Sequence, residues 1–400
     1  MRASSSRVPP SIPSALVPAL LAWYRTHRRA LPWRADRDPY RVWVAEVLLQ
    51  QTRVTLAATY FERFVREFPT VESLARAPRS RVLKLWQGAG YYGRAHHLHA
   101  AAREIVHQRG GRFPSTVPEL EGLSGIGPYI ARAVASIAFG RPHVALEANG
   151  LRVAARWTRE EGDLRIASVR GRLADALSAV LPRTHAGEFN EAIMELGETV
   201  CRPGRPDCAN CPVAFACRAR RELADPGSVP RRRGPRSRPH VRAAVVVLER
   251  EGRWLVQQRP SSGLLPGLWE FPGGRIKAGE LPEEAARREL AEETGIRVRA
   301  LSPLGTVRHA YSHFTVELHA FRAGAPERTE GTPGTARRWV TPSELLRFPI
   351  PKATEKVITL LGAPDTASPG SRSRRGRTRA SRPRGARSPP LRAPPKGTRA

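Results

Sequence analysis

The chain is poor in acidic residues, in cysteine and in long apolar runs. Asp and Glu number 36 against 67 Lys and Arg, which gives a formal net charge of +31 over 400 residues. No apolar run approaches the roughly 20 residues that a membrane-spanning helix needs, which argues against a membrane protein. Only four cysteines occur, and no clean secretory signal precedes them, so disulfides are not expected.

Part of the positive charge belongs to the C-terminal segment. Residues 372–399 hold eleven basic residues and no acidic one, among Ser, Pro and Gly. Such a segment cannot bury enough apolar surface to fold, so we expect residues 362–400 to be a disordered basic tail. Removing its eleven charges from +31 leaves +20 on the body. That excess favours a polyanionic partner, although a general arginine bias of the source proteome would produce it too.

The hydrophobic period divides the remaining chain into two domains. Residues 1–13, interrupted by proline, are predicted to be a disordered leader of a cytoplasmic protein. A helical period over residues 14–223 predicts an all-α domain, and a Pro-, Gly- and Arg-rich linker follows at 224–240. Residues 241–361 begin with a β-branched hairpin and contain a helical stretch at 282–294, which predicts an α+β domain.

All four cysteines lie together, as Cys201, Cys208, Cys211 and Cys217, with six, two and five residues between them. Clustered thiols in an intracellular chain are typical of a metal site. Four thiolates suit either tetrahedral zinc or a cubane of iron and sulfur. The spacing alone leaves both open, with zinc the commoner choice.

A glycine-rich turn precedes a helix at residues 123–131, which read LSGIGPYIA. Gly125 and Gly127 permit a tight turn, and the backbone N–H groups that open the next helix can bind a phosphate. A G-x-G between helices is often no more than a turn. With Glu147 about twenty residues further on, however, the segment resembles the helix–hairpin–helix of base-excision DNA glycosylases.

Residues 40–52, YRVWVAEVLLQQT, resemble a helix of the MutY family, as do Leu31–Arg34 and Gly90–Gly93. The resemblance covers most of residues 14–223. It implies a monomeric, nucleoid-associated glycosylase that removes adenine mispaired with 8-oxoguanine or guanine in double-stranded DNA. The cysteine spacing matches that of endonuclease III and MutY relatives, which implies a [4Fe–4S] cluster whose loop presents Arg202 and Arg205 to phosphates.

The resemblance also assigns the chemistry. Glu46 matches the general acid that protonates N7 of a flipped adenine, and burial would raise its pKa for that task. Glu147 matches the carboxylate that stabilises the sugar cation, although relatives carry Asp there. Alternatively, Glu147 only caps a helix, and the chain is a DNA-binding protein with impaired activity. Lyase-active relatives have Lys where this chain has Tyr129, so a monofunctional enzyme is implied.

Further residues are assigned to the substrate by position in the matching segments. Glu195 is expected to hydrogen-bond the adenine, although it could equally be a solvated helix acid. The remaining substrate contacts are assigned to Tyr129, to Trp33 and Arg34 of the pocket wall, and to Gln51 and Tyr91, which would wedge into the duplex.

The second domain contains a complete Nudix box, from Gly274 to Ile296. Glu289, Glu292 and Glu293 fall on one helix face, where they could gather Mg²⁺. In MutY relatives this domain has usually lost the metal site and recognises 8-oxoguanine. The segment Tyr311, Ser312 and His313 resembles their lesion-reading loop, although His313 could be an ordinary strand-end residue. Two interpretations stay open: a lesion reader, or a second enzyme that hydrolyses oxidised nucleoside triphosphates.

Overall fold

The computed structural model describes residues 11–231, 238–260, 263–311, 314–326 and 336–362. The predicted leader up to residue 10, Ser312 and His313, and the predicted tail beyond residue 362 lie outside these residues. In the part of the chain that is described, no helix is both long and apolar enough to cross a membrane.

The first domain is helical, as predicted. Asp38 begins its central helix by accepting a hydrogen bond from the Arg41 backbone N–H at 2.9 Å, and Pro39 follows in the first turn, where no N–H donor is needed. The helices are α1 Leu16–His27, α2 Pro39–Leu49, α3 Val54–Glu67, α4 Val71–Arg76, α5 Arg79–Trp86, α6 Tyr92–Arg109, α7 Val117–Glu121, α8 Pro128–Ile137, α9 Ala148–Thr158, α10 Ala167–Ser178, α11 Ala186–Thr199 and α12 Arg218–Glu222.

Two apolar clusters hold this domain together. The first surrounds α2, which buries eight of its eleven residues and is therefore covered on nearly every side. The second joins α1 to α9, α10, α11 and the cysteine segment. Ile12 and Val229 are buried in the second cluster, so ordered packing extends into the predicted leader and into the predicted linker.

The second domain is a mixed sheet with helices on both faces. Its elements are β1 His240–Arg250, β2 Arg253–Gln258, β3 Trp269–Glu270, β4 Gly273–Arg275, α13 Pro282–Thr294, β5 Ser302–Ala310, β6 Thr315–Gly324, β7 Arg337–Val340, α14 Pro342–Leu345 and α15 Lys352–Leu360. The strand order is β3-β2-β1-β6-β5, with β4 also paired to β1 and β7 to β2. The β1–β6 pair is parallel, and the other pairs are antiparallel.

Alternation along β1 explains why both sheet faces are covered. Val245 and Val247 belong to the apolar cluster beneath α14 and α15, whereas Ala244, Val246 and Leu248 belong to the cluster beneath α13. The helix predicted at 282–294 coincides with α13. The Nudix box is thereby presented on a helix whose opposite face is fixed to the sheet.

Candidate active site

A cavity of about 980 Å³ opens in the first domain, between α2, α8, α9 and α11. Segments far apart in the sequence converge on it, and every catalytic or substrate contact predicted for this domain lies on its wall. These residues are Trp33, Arg34, Glu46, Gln51, Tyr91, Tyr129, Glu147 and Glu195.

Glu46 lies within α2 at the floor of this cavity and is only 4% exposed. Tyr129, in the first turn of α8, donates a hydrogen bond from its hydroxyl to Glu46 Oε2 at 2.5 Å. Burial raises the pKa of Glu46 to about 7, with the charges of Glu147 and Glu191 acting in the same direction, against the Tyr129 hydrogen bond and Arg34. A buried carboxyl that holds a proton near neutral pH can act as a general acid.

Glu147 is the N-cap of α9. Its carboxylate accepts hydrogen bonds from the backbone N–H groups of Asn149 at 2.7 Å and Gly150 at 2.8 Å. Burial raises the pKa of Glu147, and the two N–H groups oppose that shift. The side chain therefore caps a helix, as the alternative held, and at the same time borders the cavity that contains Glu46.

Glu195 forms ion pairs with two arginines and is not a solvated helix acid. It is 1% exposed, and it accepts hydrogen bonds from Arg29 Nε at 2.6 Å and Arg34 Nη2 at 2.9 Å. Burial alone would raise the pKa of Glu195, but the two guanidinium groups outweigh it and lower the pKa. Arg34, predicted to be a pocket-wall residue, thus also holds a neighbouring acid in place.

Glu191 was missed by the sequence analysis. It lies one helical turn before Glu195 on α11 and borders the same cavity. Burial raises the pKa of Glu191, opposed chiefly by the charge of Arg34, whose Nε lies 3.5 Å away. A position four residues from Glu195 shares its helix face, and that spacing was the signal available in the sequence.

Gln51 and Tyr91 stand at the rim of the cavity in the left-handed backbone region, with φ of 60° and 48°. Residues other than glycine rarely adopt this backbone conformation, and such strain concentrates at binding sites. Arg94 holds the two segments together. Its guanidinium donates to the Gln50 carbonyl on one side and to the Gly90 carbonyl, at 3.2 Å, on the other.

The predicted helix–hairpin–helix consists of α7, a turn and α8. Gly125 has φ of +72°, and a Cβ added there would lie 2.4 Å from the side chain of His97, so glycine is required. Gly127 is the N-cap of α8 and is exposed, which leaves the first N–H groups of the helix open to a ligand.

The four cysteines lie in one segment after α11. Cys201 and Cys217 are buried, and Cys208 and Cys211 are half-buried. Arg156, 1% exposed, donates to the Cys201 sulfur at 3.1 Å. The donor set thus offers several soft ligands beside a buried cation. Among the described residues, no group of three or more His, Cys, Asp or Glu side chains is arranged to hold a metal ion.

Arg202 and Arg205 are exposed in the same segment, where phosphates could reach them. A second buried arginine ties the segment to the active site. Arg152 donates to the Cys201 carbonyl at 3.0 Å and to Asn149 Oδ1 at 2.8 Å, next to the Glu147 cap.

The Nudix carboxylates of α13 are divided between partners. Glu289 and Glu292 both accept from Arg288 Nη1, at 2.8 and 3.1 Å. Glu293 instead accepts from Gln257 Nε2 at 2.5 Å and from the Gly273 N–H at 2.9 Å. The structure therefore places these three acids on one helix but does not direct them to a common point.

A separate cavity of about 350 Å³ lies beside Glu293 and includes Tyr311. The Tyr311 ring stacks on Phe314, with centroids 4.7 Å apart and planes inclined by 24°. Its hydroxyl accepts a hydrogen bond from the Ala353 N–H at 3.4 Å. Tyr311 is thereby held within the second domain, at the entry to the predicted lesion-reading segment.

Two family models match the chain. Residues 44–176 match the HhH-GPD superfamily of base excision DNA repair proteins, and residues 243–360 match the NUDIX domain. Among solved structures, that of a thermostable thymine-DNA glycosylase matches with 27% sequence identity and a TM-score of 0.48. The match covers 52% of this chain and 96% of that protein's chain. The fold and site define a helix–hairpin–helix DNA glycosylase joined to a Nudix-fold domain.

Curated relatives narrow this class. The adenine DNA glycosylase of Rattus norvegicus is 33% identical over 84% of this chain and 76% of its own length. The Homo sapiens adenine DNA glycosylase is 34% identical, and the match covers 85% of this chain and 72% of the human protein. The chain belongs to the adenine DNA glycosylase family and is a base-excision-repair enzyme that acts on DNA.

Proposed function

We propose that the protein hydrolyses the N-glycosidic bond of adenine mispaired with 8-oxoguanine or guanine in duplex DNA, with Glu46 as the general acid. The observation that carries the proposal is a buried Glu46 carboxyl with a pKa of about 7 on the wall of a cavity of about 980 Å³. Such a carboxyl is protonated in an appreciable fraction of molecules at neutral pH.

The reaction needs one proton donor and one stabilising charge. Glu46 transfers its proton to N7 of the extruded adenine, and the C1′–N9 bond then breaks with its electron pair leaving on the base. The carboxylate of Glu147 stabilises the positive charge left on the sugar. Water adds to C1′, and its proton returns to the Glu46 carboxylate.

We expect an abasic site without strand cleavage. Tyr129 stands where lyase-active relatives have Lys, and its hydroxyl is bonded to Glu46 at 2.5 Å. A phenol cannot form a Schiff base with the opened sugar. Product strands should therefore break only after alkali treatment, and breaks without alkali would contradict this assignment.

Single-turnover excision on a duplex with adenine opposite 8-oxoguanine tests the activity. Glu46→Gln should abolish excision and keep duplex affinity, because the amide fills the same space without an acidic proton. Glu62→Gln, at an exposed position of α3, is the matched control. Excision by Glu46→Gln at the wild-type rate would refute the acid role, and a wild-type protein without activity would favour the impaired DNA-binding alternative.

Glu191 fits the role of adenine partner better than Glu195. Both oxygens of Glu195 are engaged by arginine, whereas Glu191 contacts Arg34 only at 3.5 Å and keeps a raised pKa. Glu191→Gln should therefore weaken adenine selection while Glu195→Gln loosens the pocket wall. The excision rates of adenine and of unsubstituted purine, each placed at the same position of otherwise identical duplexes, separate these effects.

The cysteines are proposed to hold a [4Fe–4S] cluster. Four sulfurs in one segment, two of them buried and one bonded to buried Arg156, offer the soft ligand set that such clusters take. When bound, the cluster would fix the fold of the loop that exposes Arg202 and Arg205 to phosphates. Iron and sulfide analysis of purified protein, with Cys211→Ser as the variant, tests this; zinc in place of iron would overturn it.

The second domain is proposed to recognise 8-oxoguanine, in accord with the position of Tyr311 at the entry to residues 312–313. A nucleotide hydrolase is the second candidate, and in that case the hydrogen bonds of Glu293 to Gln257 and Gly273 would give way to metal binding. Full-length protein with Mg²⁺ and 8-oxo-dGTP should release no pyrophosphate. Release that Glu289→Gln abolishes would establish a bifunctional enzyme.

A further inference from the structure

The two domains are in contact at several points, among them the loop around Leu268, which packs into the first domain's core, and the place where α15 lies against the end of α5. Gln87 follows the last residue of α5, and its side-chain amide donates to a carboxylate oxygen of Glu355. The Gln87 amide oxygen accepts from the Ile350 N–H at 3.5 Å. Beside it, Lys84 donates to the Phe348 carbonyl at 3.1 Å. Polar groups of the first domain thus form hydrogen bonds to residues 348–355 of the second.

Glu355 is an unusual residue to find at such a contact. It is 7% exposed, and its second carboxylate oxygen is paired with Lys352. A charge removed from water is tolerated only with well-placed partners, so removal of one partner is costly. The contact is therefore sensitive to small movements of either domain.

On the glycosylase side, Gln87 leads directly into the turn that carries Tyr91. Tyr60 donates to the Gln87 carbonyl at 3.1 Å. A Cβ added at Gly88, where φ is +95°, would lie 2.2 Å from the Tyr60 hydroxyl, so the turn is closely packed. We therefore expect a displacement of Gln87 to shift the residues that follow it in this turn.

Arg94 continues the connection to the catalytic helix. It donates to the carbonyls of Ala89 and Gly90 in this turn, at 3.1 and 3.2 Å. It also donates to the carbonyl of Val47, at 2.6 Å, in the last turn of α2. Val47 is the residue after Glu46, so Arg94 joins this turn to the helix that carries the proposed acid.

On the other side, the turn of α15 that bears Glu355 is attached to the end of β5. Ala353 donates to the Tyr311 hydroxyl at 3.4 Å, and Lys356 donates to the Arg308 carbonyl at 2.7 Å. The same turn of helix thus contacts both the entry to the proposed lesion-reading segment and the glycosylase domain.

We propose that Gln87 and Glu355 are positioning residues through which the base read by the second domain controls the Tyr91 turn, and thereby the rate of adenine excision. The inference rests on the proposed function and extends it. Binding of 8-oxoguanine beside Tyr311 would hold α15, Gln87 and the Tyr91 turn in the arrangement that accepts an extruded adenine. The contact would then set the preference for the lesion over plain guanine.

The test compares single-turnover excision of adenine opposite 8-oxoguanine with excision opposite guanine. Gln87→Ala and Glu355→Ala should each lower the ratio of the two rates roughly twofold to thirtyfold, the range of measured coupling between sites. The double variant should lose no more than either single one, because both break one contact. Glu355→Gln, which keeps an acceptor oxygen, should retain much of the ratio.

Glu249→Ala, which removes an exposed ion pair with Arg322 in the same domain, is the matched control and should leave the ratio unchanged. Equal loss of both rates, additive losses in the double variant, or an unchanged ratio would overturn the inference. So would a wild-type protein that excises adenine equally fast from both mispairs, although its glycosylase activity would stand. Absence of excision from both would instead overturn the proposed function.

Discussion

The negative charge of Glu147 raises the pKa of Glu46 across the cavity that both residues border. The two acids lie on different helices, α2 and the start of α9, about a hundred positions apart in the sequence. Burial raises the pKa of both acids. For Glu147 two backbone N–H groups oppose that shift, because they favour its ionised form.

The rate of excision should fall as the pH rises through the pKa of Glu46. Only the protonated acid can serve adenine, and that pKa is about 7. Above it, the single-turnover rate should decline by about tenfold per pH unit, whereas just below it the rate should level off. A rate that stays constant from about pH 6 to about pH 9 would contradict a titrating acid of this pKa.

Tyr129→Phe should move this fall to higher pH. The Tyr129 hydroxyl donates to Glu46 and so stabilises its ionised form; without it, the pKa of Glu46 should rise further. Tyr40→Phe is the matched control, because it removes a buried hydroxyl bonded to the Phe68 carbonyl at 2.7 Å, outside the cavity. If both variants gave the same pH–rate profile, the bond to Glu46 would have no part in setting the pKa.

Glu46→Gln should stabilise the protein at alkaline pH. The folded-state pKa of Glu46 is raised from 4.5 to about 7, so its contribution to stability is complete below the unfolded-state pKa and is lost as pH rises through about 7. A shift of this size corresponds to a loss on the order of 3 kcal/mol. Denaturant unfolding at about pH 5 and about pH 9 measures it: the wild type should lose stability relative to Glu46→Gln, and parallel curves would contradict the burial argument.

Substitutions at Glu147 should separate capping from catalysis. Glu147→Gln removes the charge but keeps one of the two oxygens that accept from Asn149 and Gly150, so it should retain part of the capping stability and lose excision. Glu147→Ala should lose both, with a capping cost of about 1 kcal/mol. Glu147→Asp, the residue of relatives, should excise at least as well as the wild type. An active Glu147→Gln would show that the side chain only caps the helix.

Part of the fold and of the site could be predicted from the sequence. The helical and mixed domains followed from the hydrophobic period, and α13 has the predicted bounds, because a surface helix repeats its apolar residues in register with its turns. Glu46 was identified as an acid through resemblance, but its bond to Tyr129 joins two helices that no local pattern connects. Glu195 was likewise assigned to the substrate through resemblance. Only the fold shows that Arg29 and Arg34 both donate hydrogen bonds to its carboxylate.

The sequence by itself determined the division into two domains, the clustered cysteines and the glycine turn, since these are properties of spacing and composition. The resemblance of whole segments to a known family indicated the glycosylase. The tertiary structure alone decided which acid is shielded from water, which is held by arginine, and which residues join the domains. Burial and charge depend on atoms brought together from distant parts of the chain. A pKa, unlike a helix, is set by neighbours that the local sequence does not contain.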